Sequence, residues 1–357
     1  MQVIRVRNVN DALLLGVQLL RDGGDWRESR AGRVIEYPEP VTTVYEKPHE
    51  RVLFSHARDA NPFFHFIEAL WMLDGRNDVK SISYYVKRIE TFSDDGETLH
   101  GAYGYRWRNH FVQDQILNTI DRLGNSPEDR RIVLGMWDPV GDFYMGQSDA
   151  RDVPCNTHIY FKVRDGDLHM TVCCRSNDMI WGAYGANAVH MSMLQEFIAY
   201  SINVGIGRYT QISDSFHAYE DVYTKVEEKL PKITVFNSSS FIRGGRYNSG
   251  SVSSDGPAMI QEFTDHEQWL ETLTAFLADV FIRNEHHVLE KYEAQHGDPY
   301  FYDDPYFDLV AEPIAKAYWE HKNGNTRRAI ETIGTCVASD WRIACKEWLE
   351  RRLLSDN

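Results

Sequence analysis

Apolar residues recur along the chain with spacings that predict several long helices and a smaller number of strands. Asn61-Pro62 opens the most apolar helical segment, and Gly75 closes it. The turn-like tetrapeptide 164–167 separates two strand-like segments and predicts a β-hairpin. The predicted helices lie in VNDALLLGVQLLRD, NPFFHFIEALWMLDG, VQDQILNTIDRLGN and ANAVHMSMLQEFIAYSINVG, and the predicted strands lie in RIVLGMWDP, NTHIYFKV and DLHMTVCCRS. The glycine-rich GGDWRESRAGRVIEY predicts a loop that enters a strand.

The character of the chain changes from about Asp308. The segment AEPIAKAYWEHKNGNTRRAIETIGTCVASDWRIACKEWLERRLL predicts two or three helices, with a break at the Lys-Asn-Gly-Asn sequence of residues 322–325. We therefore predict an α+β protein with mixed strands and large helices. Its main part would span residues 1–306, and a helical C-terminal extension would span residues 307–357.

Composition and charge narrow the classes of function. The 357 residues are 43% hydrophobic, which is enough to bury a large core in one or two domains. A net charge of −15 argues against direct binding of duplex nucleic acid, although a few arginines can still form a local site for a small anion. No apolar run approaches the roughly 18 residues of a membrane span, and the N-terminus is too polar for a secretory signal. We expect a cytoplasmic protein without a membrane partner.

The five cysteines are odd in number and include no C-x-x-C pair with zinc spacing, so we expect free thiols and no metal site. One of them, Cys155, lies between a proline and a strand-like run in DVPCNTHIYF. Most free cysteines act as small core residues. The alternative is a nucleophile held at the entrance of a strand.

Six motifs occur in a fixed order around this cysteine. They are FIEALWMLDG, LHGAYGYRWR, DQILNTIDRLGNSPEDRRIVLGMWDP, VPCNTHIYFKV, CCRSNDMIWGAYGANAVHMSMLQEFIAY and ISDSFHAYED. Over roughly residues 10 to 225 this series resembles the thymidylate synthase family, most specifically in Pro-Cys, Arg-Ser-x-Asp, Asp-Arg-Arg and His-x-Tyr. The resemblance implies a thymidylate synthase-like catalytic domain in which long helices pack on a large mixed sheet.

The chemistry of this family requires a thiolate, because carbon 5 of a pyrimidine is a poor nucleophile. A thiolate that adds at carbon 6 creates an enolate, which attacks a one-carbon unit through carbon 5. The resemblance implies that Cys155 is this nucleophile. It also implies that Arg175 stabilises the thiolate and holds the nucleotide phosphate, with Ser176 adding a hydroxyl.

Further arginines complete the phosphate site in the family. Arg130 and Arg131 match a pair that the partner subunit donates, which implies a homodimer with shared active sites. An arginine from the N-terminal loop normally closes the site. The segment WRESRAGR departs from the family pattern there, so Arg27 and Arg30 both remain candidates.

The resemblance assigns roles to six other residues. Glu68 organises water and protons near carbon 4, and Tyr103 joins the water network for proton removal at carbon 5. Asp178 contacts the pterin, whereas His217 and Tyr219 bind the sugar hydroxyl. Asn187 reads the base; its amide favours uracil, with cytosine left open, and the segment GAYGANAVH is one residue longer than the usual form.

Two departures from the family concern the end of the reaction. The tryptophan-rich segment is replaced by RIETFSDDG, with Phe92 near the indole position, and the short apolar tail is replaced by the helical extension. Water would then reach the exocyclic methylene. We expect a hydroxymethylase that uses 5,10-methylenetetrahydrofolate and a pyrimidine deoxynucleotide monophosphate, a branch that bacteriophages use for modified DNA. The alternatives are reductive methylation to thymidylate or 5-methylcytidylate, an inactive binding module, and a thiol hydrolase that pairs Cys155 with His158 or His217.

Overall fold

The computed structural model describes residues 1–145, 150–231, 245–260, 265–285 and 301–355. Within them one mixed sheet has the strand order β1-β4-β8-β7-β6-β5, and β3 joins both β8 and β2. The central strand β8 runs parallel to β7 and antiparallel to β3 and β4. The strands are β1 (Gln2–Val6), β2 (Asp25–Ser29), β3 (Gly32–Tyr37), β4 (Val41–Tyr45), β5 (Val133–Gly135), β6 (Asn156–Arg164), β7 (Asp167–Asp178) and β8 (Gly205–Tyr219).

Helices pack against this sheet, so the predicted α+β class with a large mixed sheet is confirmed. The α-helices are α1 (Val9–Gly23), α2 (Pro62–Leu73), α3 (Val79–Ser83), α4 (Tyr103–Tyr105), α5 (Gln115–Asn125), α6 (Gly141–Met145), α7 (Asn187–Ser201), α8 (Glu220–Lys229), α9 (Gly245–Asn248), α10 (His266–Glu285), α11 (Glu312–Lys322), α12 (Thr326–Ile333) and α13 (Ser339–Ser355). A 3₁₀ helix spans Lys87–Thr91, and π-helical turns span Arg106–His110, Met179–Ala186 and Phe307–Ala311.

The glycine-rich segment near the N-terminus is a β-hairpin rather than a loop entering a strand. Ser29 and Gly32 are paired at its end, and Gly32 has a φ of +122°, which a glycine adopts without steric cost. All five residues of β2 are exposed. The prediction missed this strand because no alternation of apolar residues marks a strand with two solvated faces.

The core is layered from the sheet outwards. Helix α7 is almost wholly buried against β7 and β8, and α2 packs on α7. The next layer consists of the C-terminal helices, which contact α2 through aromatic pairs. The ring centroids of Phe63 and Tyr318 lie 5.2 Å apart, those of Phe63 and Trp348 lie 5.6 Å apart, and those of Phe66 and Trp341 lie 5.0 Å apart. The boundary at residue 307 stays a prediction.

Across the ranges that the structure describes, none of the helices has both the length and the apolar character needed to cross a bilayer.

Candidate active site

A cavity of about 210 Å³ lies where the loop before β6 meets α2, α4 and the start of α7. It is lined by both apolar and reactive side chains. The polar members carry a thiol, two carboxylates, a phenol, an imidazole and an amide, and they are Cys155, Glu68, Asp152, Tyr103, His190 and Asn187. Phe92, which is 42% exposed, forms part of the apolar wall. Four of the predicted catalytic and binding residues therefore share one cavity.

Cys155 is half-buried and lies directly before β6. Burial raises the pKa of its thiol and the charges of Asp152 and Asp178 add to the rise, whereas the charge of Arg175 and a hydrogen bond with Tyr103 oppose it. The Arg175 backbone N–H donates to the Cys155 carbonyl oxygen at 2.9 Å, which ties the cysteine to β7. The thiol is thus held at a strand entrance beside a cation, the setting in which a thiolate is stabilised.

The Arg175 side chain organises the loop that carries the cysteine. Its Nε donates to the carbonyl oxygen of Pro154 at 2.9 Å, and its Nη2 donates to that of Val153 at 2.8 Å. The guanidinium carbon also lies 5.7 Å from the ring centroid of Trp137. Arg175 is exposed, so the same cation that fixes the loop also faces the solvent.

Tyr103 reaches the thiol because α4 packs closely on the C-terminal end of α2. A Cβ built on the neighbouring Gly104 would lie 2.5 Å from the carbonyl carbon of Met72 and nearer still to its oxygen. No real Cβ tolerates this approach, so glycine is required for the packing. Burial raises the pKa of Tyr103 well above its ordinary value, and the neighbouring Cys155 raises it further. The phenol therefore stays protonated and can act as a donor.

Glu68 projects from α2 into the cavity and meets His190 of α7. The carboxylate Oε2 lies 2.9 Å from the imidazole Nε2, and the side chains are 13% and 4% exposed, respectively. The two atoms are at ion-pair distance, but their orientation does not satisfy hydrogen-bond geometry. A carboxylate and an imidazole in this arrangement can pass protons through a water or a substrate atom that bridges them.

Asn187 begins α7 and belongs to a buried chain of amides. Its Oδ1 accepts from Asn156 Nδ2 at 3.4 Å, and its Nδ2 donates to Asn177 Oδ1 at 3.2 Å. Asn177 in turn donates to Ser213 Oγ at 2.9 Å. The π-helical turn that precedes α7 has non-helical torsions at Tyr184 and Gly185. Such turns accommodate an extra residue, which agrees with the one-residue excess that the sequence has before Asn187.

Asp178 ends β7 and caps the π-helical turn. Its Oδ1 accepts from the N–H groups of Ile180 and Trp181 at 2.7 and 2.8 Å. Burial raises the pKa of this carboxyl group, and the Trp181 N–H and the charge of His217 oppose the rise. The second oxygen, Oδ2, is buried and has no hydrogen-bond partner among the described residues. An orphaned carboxylate oxygen is costly unless a ligand supplies a donor.

The indole of Trp181 lies beside two arginines near this carboxylate. The guanidinium carbon of Arg58 is 4.1 Å from the ring centroid, and that of Arg88 is 5.6 Å away. Burial lowers the pKa of Arg58 to about 10, against the opposing charge of Asp178, so the group remains a cation at neutral pH. Trp181 is 40% exposed, which leaves part of the ring open to a ligand.

The remaining predicted residues on β7 and β8 adjoin the Cys155 cavity without lining it. Ser176 is paired with Ser215 in the sheet. His217 is buried, its Nδ1 lies 3.2 Å from Ser215 Oγ, and its ring meets Tyr219 edge-on at 5.7 Å. Burial raises the pKa of Tyr219, with Asp178 and Cys155 adding to the rise and Arg30 opposing it.

The two N-terminal arginine candidates have different surroundings. Arg30 lies in the hairpin turn, and its Nη1 donates to the Ala150 carbonyl oxygen at 3.3 Å, close to the loop of Cys155. Arg27 lies on β2, with its Nη1 3.8 Å from a carboxylate oxygen of Glu36. The structure therefore brings Arg30 towards the site and leaves Arg27 on the outer strand.

Three comparisons with known proteins agree with one another. The model of the family described as thymidylate synthase matches residues 50–241. The chain belongs to the thymidylate synthase family. A deoxyuridylate hydroxymethyltransferase from Pseudomonas phage M6 is 44% identical over 357 residues, which cover 99% of this chain and 95% of that relative. One from Bacillus phage SP01 is 36% identical over 221 residues, which cover 59% and 57% of the two chains.

More distant relatives match a smaller part of the chain. A putative thymidylate synthase from Methanothermobacter thermautotrophicus (strain Delta H) is 30% identical over 213 residues, which are 60% of this chain and 90% of that relative. The crystal structure of thymidylate synthase from T4 phage superposes with a TM-score of 0.51 at 21% identity, over 61% of this chain and 81% of that one. This likeness shows the fold, and the predicted thymidylate synthase-like architecture is confirmed.

Arg130 and Arg131, which match the arginine pair expected from a partner subunit, do not line the cavity of their own chain. Arg131 is 82% exposed, and its guanidinium is held by Asp129 through hydrogen bonds of 2.9 and 3.0 Å. Arg130 is exposed on the same turn, which follows α5 and leads to β5. Their predicted role in this family member depends on a second subunit and stays a prediction.

Two cavity residues were missed by the sequence analysis, His190 and Asp152. His190 follows Asn187 by three residues on α7, so both side chains lie on one helix face. The same helix also carries Ser192, Gln195 and Glu196, so polarity alone did not distinguish His190. Asp152 gave no such signal, because an aspartate in the polar stretch QSDARDVP resembles any other loop residue.

Proposed function

We propose that the protein is a deoxyuridylate hydroxymethylase, which transfers a one-carbon unit from 5,10-methylenetetrahydrofolate to carbon 5 of dUMP and adds water to it. The observation that carries the proposal is the shared cavity of Cys155, Tyr103, Glu68 and Asn187, whose aromatic wall is the half-exposed Phe92. The phage M6 relative of that name supports it, because the likeness extends through the C-terminal helices.

The first step is the addition of the Cys155 thiolate to carbon 6 of uracil. Burial and the charges of Asp152 and Asp178 disfavour the thiolate, and the cation of Arg175 and the Tyr103 hydroxyl offset part of that cost. In this proposal the nucleotide phosphate binds the exposed side of Arg175, and Ser176 and Arg30 complete its shell. His217 and Tyr219 bind the sugar hydroxyl.

The base is held and activated from the opposite wall. The Asn187 amide donates to oxygen 4 and accepts from the nitrogen 3 hydrogen, a pattern that matches uracil. Its hydrogen bonds with Asn156 and Asn177 hold it in place. Glu68 and His190, which lie 2.9 Å apart, hold a proton near carbon 4 and donate it towards oxygen 4, where negative charge develops.

Residues near Asp178 fit the folate. The unpartnered Asp178 Oδ2 suits an N–H donor of the pterin, and the open face of Trp181 suits an aromatic ring. Arg58 and Arg88 both lie near the same indole and are candidate partners for the carboxylates of a folate tail. When bound, the folate supplies a one-carbon unit at the oxidation level of formaldehyde.

The thiol hydrolase alternative finds no support in the geometry. Neither His158 nor His217 is among the residues that line the cavity of Cys155. His158 stacks on Tyr160 of the same strand, with ring centroids 6.4 Å apart. A hydrolase would need an imidazole within reach of the thiol to take its proton.

The decisive experiment is the analysis of products from dUMP and methylenetetrahydrofolate. We expect a nucleotide one oxygen atom heavier than thymidylate, with the label incorporated when the reaction runs in oxygen-18 water. The spent folate should be tetrahydrofolate, so the absorbance rise of dihydrofolate should be absent. Formation of dihydrofolate in step with thymidylate would mean that hydride transfer is intact and that the enzyme is a reductive methylase.

We further propose a homodimer in which Arg130 and Arg131 enter the partner's site. The outer face of the sheet beside them supports a partner, because the paired residues Val133 and Tyr160 are 49% and 39% exposed. Apolar side chains on an open sheet face are typical of an interface. A two-fold dimer would create two equivalent shared sites.

Mixing two inactive variants tests this sharing. Random reassembly of Cys155→Ser with Arg131→Ala makes half of the dimers mixed, and each has one complete site, so we expect about a quarter of wild-type activity. The matched control is Cys155→Ser with Glu68→Gln, since both residues line the same cavity of one chain and no complete site can form. Equal recovery of activity in the two mixtures would contradict the shared site. So would the absence of activity in both mixtures, provided that mass measurement confirms that mixed dimers have formed.

A further inference from the structure

Asp152 lies three residues before the nucleophile, and its carboxylate lines the same cavity. The Gly101 N–H donates to its Oδ2 at 2.8 Å. A Cβ on Gly101 would come within 2.7 Å of Oδ1, so the absence of a side chain there lets the carboxylate lie against the backbone. The segment that precedes Tyr103 therefore fixes the position of a second carboxylate beside Cys155.

The electrostatic setting makes this carboxylate a stronger base than an exposed aspartate. Burial raises the pKa of Asp152, while the Gly101 N–H and the charges of His100 and Arg106 oppose the rise. Asp94 lies near enough to add to it. Arg106 itself is neutralised by a buried ion pair with Asp142, with 2.7 Å between Nη2 and Oδ1. The net effect is a raised pKa, so the Asp152 carboxylate binds a proton more readily than an exposed aspartate does.

The other titratable groups of the cavity lie next to one another and already have roles in the proposed reaction. Glu68 lies against His190, and the Cys155 thiol is hydrogen-bonded to Tyr103. Among the described residues, the hydrogen-bond partner of Asp152 is a backbone N–H, which leaves its lone pairs on Oδ1 available. The cavity thus has a carboxylate beside the nucleophile that the steps described so far do not use.

We infer that Asp152 is the general base for hydration: it takes a proton from the water that attacks the exocyclic methylene of the nucleotide bound to Cys155. This inference rests on the proposed hydroxymethylase function. The water oxygen forms a bond to the methylene carbon, the electrons of the carbon–carbon double bond move into the carbon 4 enolate, and one water proton passes to Asp152. The enolate then expels the Cys155 thiolate from carbon 6, and Asp152 returns its proton to solvent.

The reverse of this step can be measured without folate. The substrate is 5-hydroxymethyl-dUMP with oxygen-18 in its side-chain hydroxyl, incubated with the full-length enzyme in ordinary water. Addition of Cys155, loss of the hydroxyl with a proton from Asp152, and rehydration exchange the label, which mass spectrometry follows. Asp152→Asn keeps an acceptor for the Gly101 N–H but removes the base. We expect exchange to slow by about 100-fold or more.

Two controls separate this effect from a loss of structure. Asp165→Asn changes an exposed carboxylate in the turn between β6 and β7 that does not line the cavity, and asparagine tolerates its φ of 54°, so exchange should stay within about threefold of wild type. The Asp152→Asn variant should still form the covalent adduct with 5-fluoro-dUMP and methylenetetrahydrofolate, because that adduct needs Cys155 but no hydration.

The results that overturn the inference are distinct from those that overturn the proposed function. Exchange by Asp152→Asn within about fivefold of wild type, or loss of the covalent adduct in that variant, would remove Asp152 from the hydration step. Absence of exchange in the wild-type enzyme, together with thymidylate as the product, would overturn the hydroxymethylase function itself.

Discussion

Cys155→Ser is expected to reduce turnover by about a thousandfold or more while leaving the affinity for dUMP within about threefold of wild type. A serine hydroxyl does not ionise near neutral pH, so neither Arg175 nor Tyr103 can make it a nucleophile for carbon 6. The groups expected to bind phosphate and sugar are unchanged. Turnover is measured from the nucleotide product by mass spectrometry, and affinity by calorimetry.

The control for this variant is Cys345→Ala. Cys345 is a buried cysteine of α13 that does not line the cavity, so turnover should be retained. If Cys155→Ser kept a tenth of wild-type turnover, the nucleophile would have to be another group. Loss of dUMP binding in Cys155→Ser would instead show that the thiol has a role in holding the loop.

Gly104→Ala should destabilise the protein by about 3 kcal/mol or more. The added methyl group would overlap the backbone of Met72, and neither partner is a flexible side chain that can move aside. The strain can be relieved only by moving α4 away from α2, which also withdraws Tyr103 from the thiol. Urea unfolding gives the change in stability, and turnover should fall with it.

Gly124→Ala is the matched glycine variant. Gly124 lies in the last turn of α5, and a Cβ there would meet nothing within 4 Å. Alanine favours the helix by up to about 1 kcal/mol, so this variant should be as stable as wild type or slightly more so. Similar stabilities for the two alanine variants would mean that the contact between α4 and α2 is loose.

The elements that the sequence predicted well are those with a strong periodic pattern. Strand β6 begins at the predicted residue 156, β7 begins at the predicted residue 167, and α2 starts at the predicted Asn61-Pro62 boundary. Strands β1, β4 and β8 were not predicted. The first two have only five residues and show too few alternations to stand out, whereas the buried face of β8 includes the polar residues Gln211 and Ser213, which interrupt the apolar pattern. The first helix is capped by Asn8, whose side chain accepts a hydrogen bond from the Asn10 N–H.

The candidate site was predictable where motif order identified it. Cys155, Glu68, Tyr103 and Asn187 are far apart in sequence, and no periodicity brings them together; the resemblance to the family did. The resemblance could not decide between Arg27 and Arg30. The choice depends on the hairpin of β2 and β3, whose turn brings Arg30 near the loop of Cys155. His190 and Asp152 depend on tertiary packing, which a local pattern does not contain.

The packing of the C-terminal helices on α2 has an evolutionary consequence. Phe63 and Phe66 are wholly buried there, and removal of their partners would return each to water at a cost of about 1.5–3 kcal/mol. The same helix carries Glu68 on its other side, so selection on the active site also acts on this aromatic layer. A lineage that has acquired the layer cannot discard it by one deletion. Loss of the C-terminal helices would require polar replacements on α2 at the same time, so the extension is difficult to remove from the enzyme.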